Sequence, residues 1–265
     1  MRLKDKVILV TASTRGIGFA IVKTCAKEGA HVYMAARNLD IAKEKADKLI
    51  SQGYTVKYVY NDAGKPESYV SMVEDVIKSA GRIDVLVNNF GTSNPGKDLD
   101  FRNTDTEIFL DTVNMNLRSV FMGSKEVVKY MSKQGGGSII NISSVGGLVP
   151  DISQVAYGTS KAAINYLTKL IAVHEAKNNI RCNAVLPGMT ATDAVEKNLT
   201  EEFRELFLRH IPLNRMGTPE EIAEAVVYFA SDESAYTTGQ ILTVSGGFGL
   251  ATPVYGDLSN KKIRR

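Results

Sequence analysis

A tyrosine and a lysine lie four residues apart in residues 157–161, YGTSK, inside a stretch whose apolar spacing predicts a helix. Tyr157 and Lys161 therefore share one helix face. A free tyrosine titrates near ~10 and is a poor base at neutral pH, but a neighbouring ammonium favours its phenolate. Ser144 lies thirteen residues before Tyr157, at the end of a predicted strand. Its hydroxyl can hold a reacting oxygen, so these side chains are candidates for proton transfer at a carbonyl or alcohol oxygen.

A turn of small residues near the N-terminus is the second candidate for chemistry. Residues 11–18, TASTRGIG, follow an apolar run and open a predicted helix. Small residues there let backbone N–H groups at the helix N-terminus approach a phosphate. The spacing is not G-x-G-x-x-G, and Ala12 predicts a mildly strained or altered turn, because glycine adopts unusual backbone angles more easily. A strand–helix turn that binds no ligand stays open as an alternative.

The end of the second predicted strand, residues 35–38, AARN, indicates which dinucleotide such a turn would bind. A site for NAD usually carries an acidic residue about 20 residues beyond the glycines, bonded to the ribose 2′-hydroxyl. Ala36 stands at that position and Arg37 follows it, with Arg15 as a second cation in the turn. A guanidinium can hold a 2′-phosphate by paired, charge-assisted hydrogen bonds, so the pattern favours NADP. Two solvated surface arginines are the alternative interpretation.

Taken together, these motifs resemble the short-chain dehydrogenase/reductase family. Residues 11–18 are similar to its T-G-x-x-x-G-x-G turn, with Ala12 replacing the first glycine. Residues 88–91, NNFG, resemble its N-N-A-G, with Phe90 replacing the alanine. Residues 187–192, PGMTAT, resemble its P-G-x-x-x-T, and residues 238–247 resemble its closing strand. The resemblance covers about residues 4–247.

The resemblance implies four catalytic residues: Asn116, Ser144, Tyr157 and Lys161. Tyr157 would be the general acid/base and Ser144 would orient the substrate oxygen. Lys161 would favour the phenolate and hold the nicotinamide ribose, and Asn116, expected near the end of the preceding helix, would hold a water that links Lys161 to solvent. Ser143 competes for the serine role, but the spacing to Tyr157 favours Ser144.

The resemblance also implies the contacts of NADP and of a small-molecule substrate. Asp62 would lie near the adenine ring of the cofactor. The backbone near Thr190 and the hydroxyl of Thr192 would contact the carboxamide of the cofactor. The expected cofactor-binding residues are Thr11, Ser13, Thr14, Arg15, Gly16, Ile17, Gly18, Arg37, Asn38, Asp62, Ala63, Asn89, Phe90, Gly91, Tyr157, Lys161, Pro187, Gly188, Thr190 and Thr192. The expected substrate-binding residues are Ser144, Tyr157, Phe90 and Met189. No metal is expected.

Within the family, Ala12, residues 88–91 and residues 189–193, MTATD, resemble bacterial 7α-hydroxysteroid dehydrogenases. This implies hydride transfer between NADP(H) and the 7α-hydroxy or 7-oxo group of bile acids. Apolar side chains that could form the walls of a steroid site are Phe90, Met189, Val195, Leu199, Phe203 and those of residues 248–255. A 3-oxoacyl-carrier-protein reductase, or another carbonyl reductase of the family, is one alternative. An NADP-binding sensor or scaffold is another.

The elements that must position these residues alternate along the chain. Apolar runs predict strands at 7–10, 31–35, 55–60, 83–87, 138–142, 180–186 and 240–244. Main helices are predicted at 16–28, 39–51, 66–80, 105–131, 154–177 and 219–230, the last capped by Thr218, with a short helix near 200–209. This alternation predicts an α/β fold: one doubly wound, Rossmann-like domain over 1–265 with a seven-stranded parallel sheet and helices on both faces. Residues 187–217 are expected to form a substrate loop or lid, and residues 248–265 a C-terminal tail.

Composition excludes several classes. The 265 residues carry a net charge of +3, too small and too evenly spread for a nucleic-acid binder. Two cysteines and three scattered histidines give no disulfide scaffold or zinc site. No stretch approaches the ~20 apolar residues of a membrane span, and no signal peptide opens the chain, so the cytoplasm is the expected location.

Two features bear on partners. The last five residues, 261–265, form a basic tail that could attract an anionic group of the substrate, although a solvated terminus is favoured. The predicted helices 105–131 and 154–177 lack an obvious polar outer face and could pack against another subunit. The family resemblance implies a homo-oligomer, a tetramer.

Overall fold

The computed structural model describes residues 1–197, 200–252 and 254–259. Within these residues seven strands form one sheet in the order β3-β2-β1-β4-β5-β6-β7, and every neighbouring pair is parallel. The strands are β1 (Val7–Thr11), β2 (His31–Ala36), β3 (Val56–Tyr60), β4 (Val85–Asn88), β5 (Gly137–Ile142), β6 (Ile180–Pro187) and β7 (Ile241–Val244). The predicted seven-stranded parallel α/β fold is confirmed.

The helices alternate with the strands, as the sequence predicts. They are α1 (Gly16–Lys27), α2 (Leu39–Ile50), α3 (Glu67–Ala80), α4 (Thr106–Gln134), α5 (Val155–Glu175), α6 (Asp193–Glu196), α7 (Glu201–Leu208), α8 (Pro219–Ala230) and α9 (Tyr255–Ser259). The predicted cap of α8 is confirmed: Thr218 and Glu221 form a reciprocal capping box and Pro219 is the first helical residue. Because α6 and α9 are each too short to show a period, the sequence does not predict them.

Both faces of the sheet are covered, which explains why its strands read as continuous apolar runs. In β1, Ile8 and Val10 pack in a core cluster with α1, α2 and α8. Val7 and Leu9 point to the other face and pack with α3, α4 and α5. The two clusters hold the sheet rigidly between layers, so the loops at the carboxyl ends of its strands have a fixed base.

The strand order reverses between β1 and β4, which are neighbours in the sheet. Loops that leave such a pair of strands diverge, and ligands of open α/β sheets bind in the crevice between them. The turn at 11–18 follows β1 and the NNFG segment follows β4, so the two motifs border this crevice.

Among the described residues, the helices lack the combination of length and hydropathy that a membrane-spanning segment requires.

The expected lid, residues 187–217, contains α6 and α7 and is closed at its base. Thr190 pairs with Gly217 in a parallel bridge. Gly217 N donates to Met189 O at 3.0 Å, and Ala191 N donates to Gly217 O at 2.8 Å. The segment therefore leaves the sheet and returns at one point. Leu199 and the basic tail 261–265, both named from the sequence, lie outside the described residues.

Candidate active site

The turn after β1 is held open by strained backbone and by Asn89. Ala12 has φ +50° and Gly16 has φ +52°, so the altered turn predicted at Ala12 is present. Asn89 Nδ2 donates to Thr11 O at 3.1 Å and to Ala12 O at 3.0 Å. A Cβ on Gly18 would collide with the Asn89 side chain and would lie 2.5 Å from Ala12 O. The turn thus admits only glycine at position 18, and the segment after β4 fixes its shape.

The donors around this turn fit a dinucleotide phosphate. The N-cap residue of α1 is Arg15, and its side chain makes no hydrogen bond to the helix. The first turn of α1 holds no acidic residue. The backbone N–H groups there are therefore free of side-chain caps and suit an anion. Arg15 and Arg37 are exposed, and neither forms an ion pair within the described part of the chain. Ala36, at the end of β2, is buried and carries no charge.

The residues expected on the adenine side follow β2 and β3. Asn38 accepts from two backbone N–H groups of α2, at 3.0 and 3.1 Å, so its side chain already acts as a helix cap. Asp62 Oδ1 accepts from Gly64 N at 3.0 Å and shapes the loop after β3. Ala63 O accepts from Arg118 Nη2 of α4 at 3.1 Å. The structure therefore places Arg37, Asn38 and Asp62 at the same edge of the sheet.

Ser144, Tyr157 and Lys161 meet beside a short turn, Val145–Gly147, that follows β5. Ser144 begins this turn and accepts from Gly146 N at 3.1 Å. A Cβ on Gly146 would lie 3.5 Å from Ser144 Oγ and 4.0 Å from Tyr157 Cε1, so both side chains line the space next to Gly146. Lys161 Nζ lies 5.6 Å from the centre of the Tyr157 ring. The three groups that the sequence singles out are thus brought together.

Burial sets the protonation of this cluster. Lys161 is 2% exposed, its Nζ donates to Ile142 O at 2.9 Å, and desolvation lowers the pKa of Lys161 to about 8. Burial also raises the pKa of the Tyr157 phenol above its ordinary value, while the neighbouring Ser144 hydroxyl acts in the opposite direction. Desolvation is the larger of these two effects on the Tyr157 phenol. At neutral pH Tyr157 is therefore a protonated phenol, able to donate a proton.

The glycine after Phe90 gives the ammonium its space. A Cβ on Gly91 would lie 3.0 Å from Lys161 Nζ, tighter than ordinary van der Waals contact. Phe90 is half-buried, and its backbone N–H donates to Thr11 Oγ1 at 3.3 Å. The NNFG segment thus lies between the turn at residues 11–18 and the Lys161 ammonium and contacts both.

Asn116 is fully buried and lies in the first half of α4, not near the end of the helix as the sequence interpretation places it. The predicted helix, 105–131, has nearly the observed bounds and already puts residue 116 in its first half, so the interpretation misplaced the residue within a correctly predicted helix. Asn116 Nδ2 donates to Thr92 O at 2.9 Å and to Ser160 Oγ at 3.0 Å, and Oδ1 accepts from Thr92 N at 2.8 Å. Ser160 Oγ donates to Tyr157 O at 2.7 Å. Asn116 therefore ties the loop after β4 to the tyrosine helix.

The competing serine has a different place. Ser143 is 3% exposed, and its hydroxyl donates to Lys161 O at 3.1 Å. Its backbone N–H donates to Val185 O at 2.8 Å. Ser143 fastens β5 to β6 and α5, while Ser144 lines the space beside Tyr157.

The segment after β6 lies against the turn at residues 11–18. A Cβ on Gly188 would lie 2.8 Å from Ser245 Cα, so only glycine lets the chains after β6 and β7 approach this closely. Thr190 is buried, and its hydroxyl donates to Gly188 O at 3.0 Å. Thr192 accepts from an N–H of α6 at 3.3 Å, and its methyl lies 3.4 Å from where a Cβ of Gly16 would be. The Thr192 hydroxyl, expected at the carboxamide, is thus engaged as a helix cap.

An aromatic row lies on the other side of the cleft. Phe207 of α7 stacks on Phe248 with ring centres 4.9 Å apart, and Phe203 lies 6.0 Å from Phe207. Phe203 is 48% exposed although it is a large apolar residue. Met189 is half-buried at the base of the same segment. These side chains offer apolar surface for a ligand.

One residue at the site was missed by sequence reasoning. Asp98, in the loop between β4 and α4, is fully buried, and its two carboxylate oxygens accept from Ala156 N and Tyr157 N, each at 2.9 Å. An isolated aspartate in a loop has no period or motif, and its partners lie 58 and 59 residues further along the chain. Nothing in the sequence pattern could have signalled this contact.

Comparison with known proteins identifies the class to which this fold and site belong. A family model described as enoyl-(acyl carrier protein) reductase, adh_short_C2, matches residues 11–249. The chain belongs to the short-chain dehydrogenase/reductase family and is an oxidoreductase.

Individual relatives narrow the comparison. The 7alpha-hydroxysteroid dehydrogenase of Clostridium sardiniense is 52% identical over 256 residues, which span 97% of this chain and 98% of that protein. A 3-oxoacyl-[acyl-carrier-protein] reductase of Thermotoga maritima is 41% identical, over 93% of this chain and 99% of that protein. The crystal structure of gox2181 superposes with a TM-score of 0.89 at 30% identity and covers 94% of this chain and 98% of that one. The steroid enzyme is thus the more similar of the two named activities.

Proposed function

We propose that this protein transfers a hydride between NADP(H) and the 7α-hydroxy or 7-oxo group of bile acids. The observation that carries the proposal is the meeting of Ser144, Tyr157 and Lys161 beside the turn after β5, next to a phosphate-binding turn. The substrate class is supported by 52% identity to a 7alpha-hydroxysteroid dehydrogenase over nearly the whole chain.

In this reaction NADPH supplies the hydride, or NADP⁺ accepts it. Tyr157 would donate its phenolic proton to the carbonyl oxygen in reduction and take the hydroxyl proton in oxidation. Because burial raises the pKa of Tyr157, the protonated form needed for reduction is the resting form at neutral pH. Ser144 would hydrogen-bond the same oxygen and orient it. Lys161, held by Ile142 O beside Gly91, would place a positive charge beside the phenolate that reduction leaves and that oxidation requires as the base.

The apolar cover of the cleft supports a steroid. A bile acid is a rigid apolar plate with an anionic tail. Large apolar side chains in the segment between β6 and α8 and in the segment after β7 are exposed and available to such a plate: Phe203 is 48% exposed, Leu206 47%, Leu213 63% and Leu250 83%. Burying apolar surface contributes roughly 25 cal/mol per Å², so a plate of this kind gains affinity from contact area without needing many polar partners.

A substrate panel tests the reaction. With NADP, cholate and chenodeoxycholate, which carry a 7α-hydroxyl, are expected to be oxidised. Deoxycholate, which lacks the 7-hydroxyl, and ursodeoxycholate, the 7β epimer of chenodeoxycholate, are the matched controls and are expected to be inert. Oxidation of deoxycholate at the same rate as cholate would place the reaction at another carbon and overturn the proposal.

The carrier-protein reductase remains the second candidate because a relative of that description is 41% identical. The two candidates separate in one measurement, NADPH oxidation with acetoacetyl thioester against NADPH oxidation with a 7-oxo bile acid. A higher kcat/KM for the thioester would favour the second candidate over the first.

For the cofactor, we propose NADP over NAD. The support is the exposed pair Arg15 and Arg37 at the carboxyl ends of β1 and β2, together with the buried, uncharged Ala36. Arg37→Asp is expected to lower kcat/KM for NADP and raise the ratio of NAD to NADP kcat/KM by about tenfold or more, since a charge-assisted hydrogen bond contributes ~1.5–3 kcal/mol. Lys57→Asp, a change of the same charge at an exposed position on β3, is the control. An unchanged ratio in Arg37→Asp would show that residue 37 does not read the phosphate.

For assembly, we propose a homo-oligomer, a tetramer, with a second copy on the groove between α4 and α5. The groove is lined mainly by apolar atoms, and Phe121 (49% exposed) and Tyr166 (66% exposed) leave large rings on its surface. Light scattering after gel filtration is expected to give four chains for the unmodified protein and fewer for Tyr166→Glu. A monomeric unmodified protein at working concentration would contradict the proposal.

A further inference from the structure

The helix that carries Tyr157 and Lys161 has no cap of its own. Gln154 precedes α5 with φ +60° and its side chain makes no hydrogen bond to the helix N-terminus. Other helices are capped from the adjoining residue, as α4 is by Asp105 and α8 by Thr218. At α5 the donors are satisfied by Asp98, which comes from a different loop.

The contact is part of a longer fastening between that loop and α5. Gln154 N donates to Asp98 O at 3.1 Å, and Val155 N donates to Leu99 O at 3.3 Å. Ser93 Oγ donates to Gln154 Oε1 at 2.9 Å. The loop after β4 therefore holds the start of α5 by backbone and side-chain bonds, with Asp98 at the centre.

A buried carboxylate is costly unless its oxygens are satisfied. Asp98 is 0% exposed, and its oxygens each accept one N–H at a helix N-terminus, where the helix dipole adds further stabilisation. One of the two donors is the backbone N–H of Tyr157 itself. The carboxylate therefore fixes the backbone from which the phenol projects.

We propose that Asp98 is the positioning residue for Tyr157, an inference that rests on the proposed function. The Asp98 carboxylate fixes the position of the first turn of α5 relative to the loop that begins with NNFG. The Tyr157 phenol therefore keeps its position relative to Ser144, and the Lys161 ammonium keeps its position relative to Gly91. Asp98 acts through Tyr157 and touches neither substrate nor cofactor. Loss of the carboxylate leaves the N–H groups of Ala156 and Tyr157 unpaired and lets this turn shift.

Kinetics of three variants test the role. Asp98→Ala is expected to lower kcat by about 10- to 100-fold, because a misplacement of about 1 Å can cost 10² in rate. The KM for NADP(H) is expected to stay within a factor of two, since the phosphate turn is untouched. Asp98→Asn keeps an acceptor oxygen and is expected to recover part of the loss in kcat, since one of the two backbone N–H groups stays paired.

The matched control is Asp100→Asn. Asp100 is exposed in the same loop and also accepts two backbone N–H groups, those of Arg102 and Asn103, but none from α5. It is expected to keep the kcat of the unmodified protein. An unchanged kcat in Asp98→Ala, or equal losses in Asp98→Ala and Asp100→Asn, would overturn the proposal.

A spectroscopic readout separates this proposal from the assigned reaction. With ¹³C-tyrosine labelling and the Tyr157 signal assigned by Tyr157→Phe, Asp98→Asn is expected to shift that signal and leave the other tyrosines in place. A Tyr157 signal that coincides with that of the unmodified protein would refute the positioning role even if no bile acid is turned over. Conversely, an inert wild type with a displaced Tyr157 signal in Asp98→Asn would contradict the proposed function and support the role of Asp98.

Discussion

The two sides of the cleft are built on different principles. The catalytic network (Asn116 and residues 88–98, 142–146 and 154–161) buries polar side chains and satisfies them across elements, as with Asn116 on Ser160 and Asp98 on α5. The cover (residues 200–217, 246–252 and 254–259) exposes large apolar side chains, such as Phe203, Leu213 and Leu250, among charged ones. All of α7 is described, and none of its residues is buried. Asn116 and Asp98 of the catalytic network are hydrogen-bonded within the protein, while the exposed apolar side chains of the cover are available to a ligand.

This difference separates the two tasks of the site. Buried polar groups need fixed partners, so the groups that move a proton are preorganised before any substrate arrives. Exposed apolar side chains gain stability only when a ligand buries them, so the cover selects by contact area and shape. Changes in the catalytic network should therefore alter kcat, and changes in the cover should mainly alter KM.

The largest expected effect comes from Tyr157→Phe in the catalytic network. Removing the phenolic hydroxyl removes the proton donor and is expected to lower kcat by about 10²–10⁴-fold while leaving cofactor binding unchanged. Initial rates with cholate and NADP, and fluorescence titration with NADPH, measure the two effects. Tyr236→Phe, at a fully exposed tyrosine, is the control. Substantial turnover by Tyr157→Phe would show that the Tyr157 hydroxyl is not the proton donor of the catalytic network.

An intermediate effect is expected from the buried charge of Lys161. Its pKa in the folded protein is about 8, below the ordinary ~10.4, so between these values the folded protein binds fewer protons than the unfolded chain. Stability therefore rises with pH in this window. The free energy of unfolding of the unmodified protein, relative to that of Lys161→Met, is expected to rise by about 1.4 kcal/mol per pH unit from about 8 to 10.

Urea unfolding at pH 7, 8, 9 and 10 measures this difference. Lys169→Met, which removes an exposed lysine from the same helix, provides the comparison for the general effect of losing a charge. A constant difference between Lys161→Met and the unmodified protein across this range would mean that Lys161 is not held as a desolvated cation.

The smallest effect is expected in the cover. Phe207→Ala removes the ring that stacks on Phe248 at 4.9 Å and loosens α7 from the C-terminal segment. An aromatic pair contributes about 0.5–1.5 kcal/mol beyond its area, so KM for bile acids is expected to rise roughly three- to tenfold while kcat stays within a factor of about two. Phe101→Ala, an 88% exposed ring without an aromatic pair in the described residues, is the control. A fall in kcat with unchanged KM would contradict the expectation that changes in the cover mainly alter KM.

The fold was predictable because strands buried on both faces leave continuous apolar runs, as in residues 7–10 and 85–87. The order of the strands follows from packing between distant segments and does not appear in any local pattern. The four residues of α6 were not predicted for a related reason: a helix of one turn shows no period.

The site was predictable where its groups share a short segment, as Tyr157 and Lys161 do. Asp98 escaped because its partners are chosen by the fold and lie far along the chain. Asn116 was named from the resemblance, but it was placed near the end of a helix whose predicted bounds, 105–131, put it in the first half. The contact of Thr192 with the carboxamide stays a prediction, since a hydroxyl that accepts an N–H of α6 can still donate its own proton.

The close approach of Gly249 to the serine turn has a consequence for how the protein is made. Gly249 has φ +83°, and a Cβ there would lie 2.8 Å from Val149 Cγ2, so the segment after β7 runs directly against the loop that follows Ser144. A ribosome releases the chain from its N-terminus, so every proton-transfer group emerges well before this contact and before β7 can pair with β6. The contact between Gly249 and the loop after Ser144 therefore forms only after all of these groups have been synthesised, so the surroundings of the proton-transfer groups are completed later than the groups themselves.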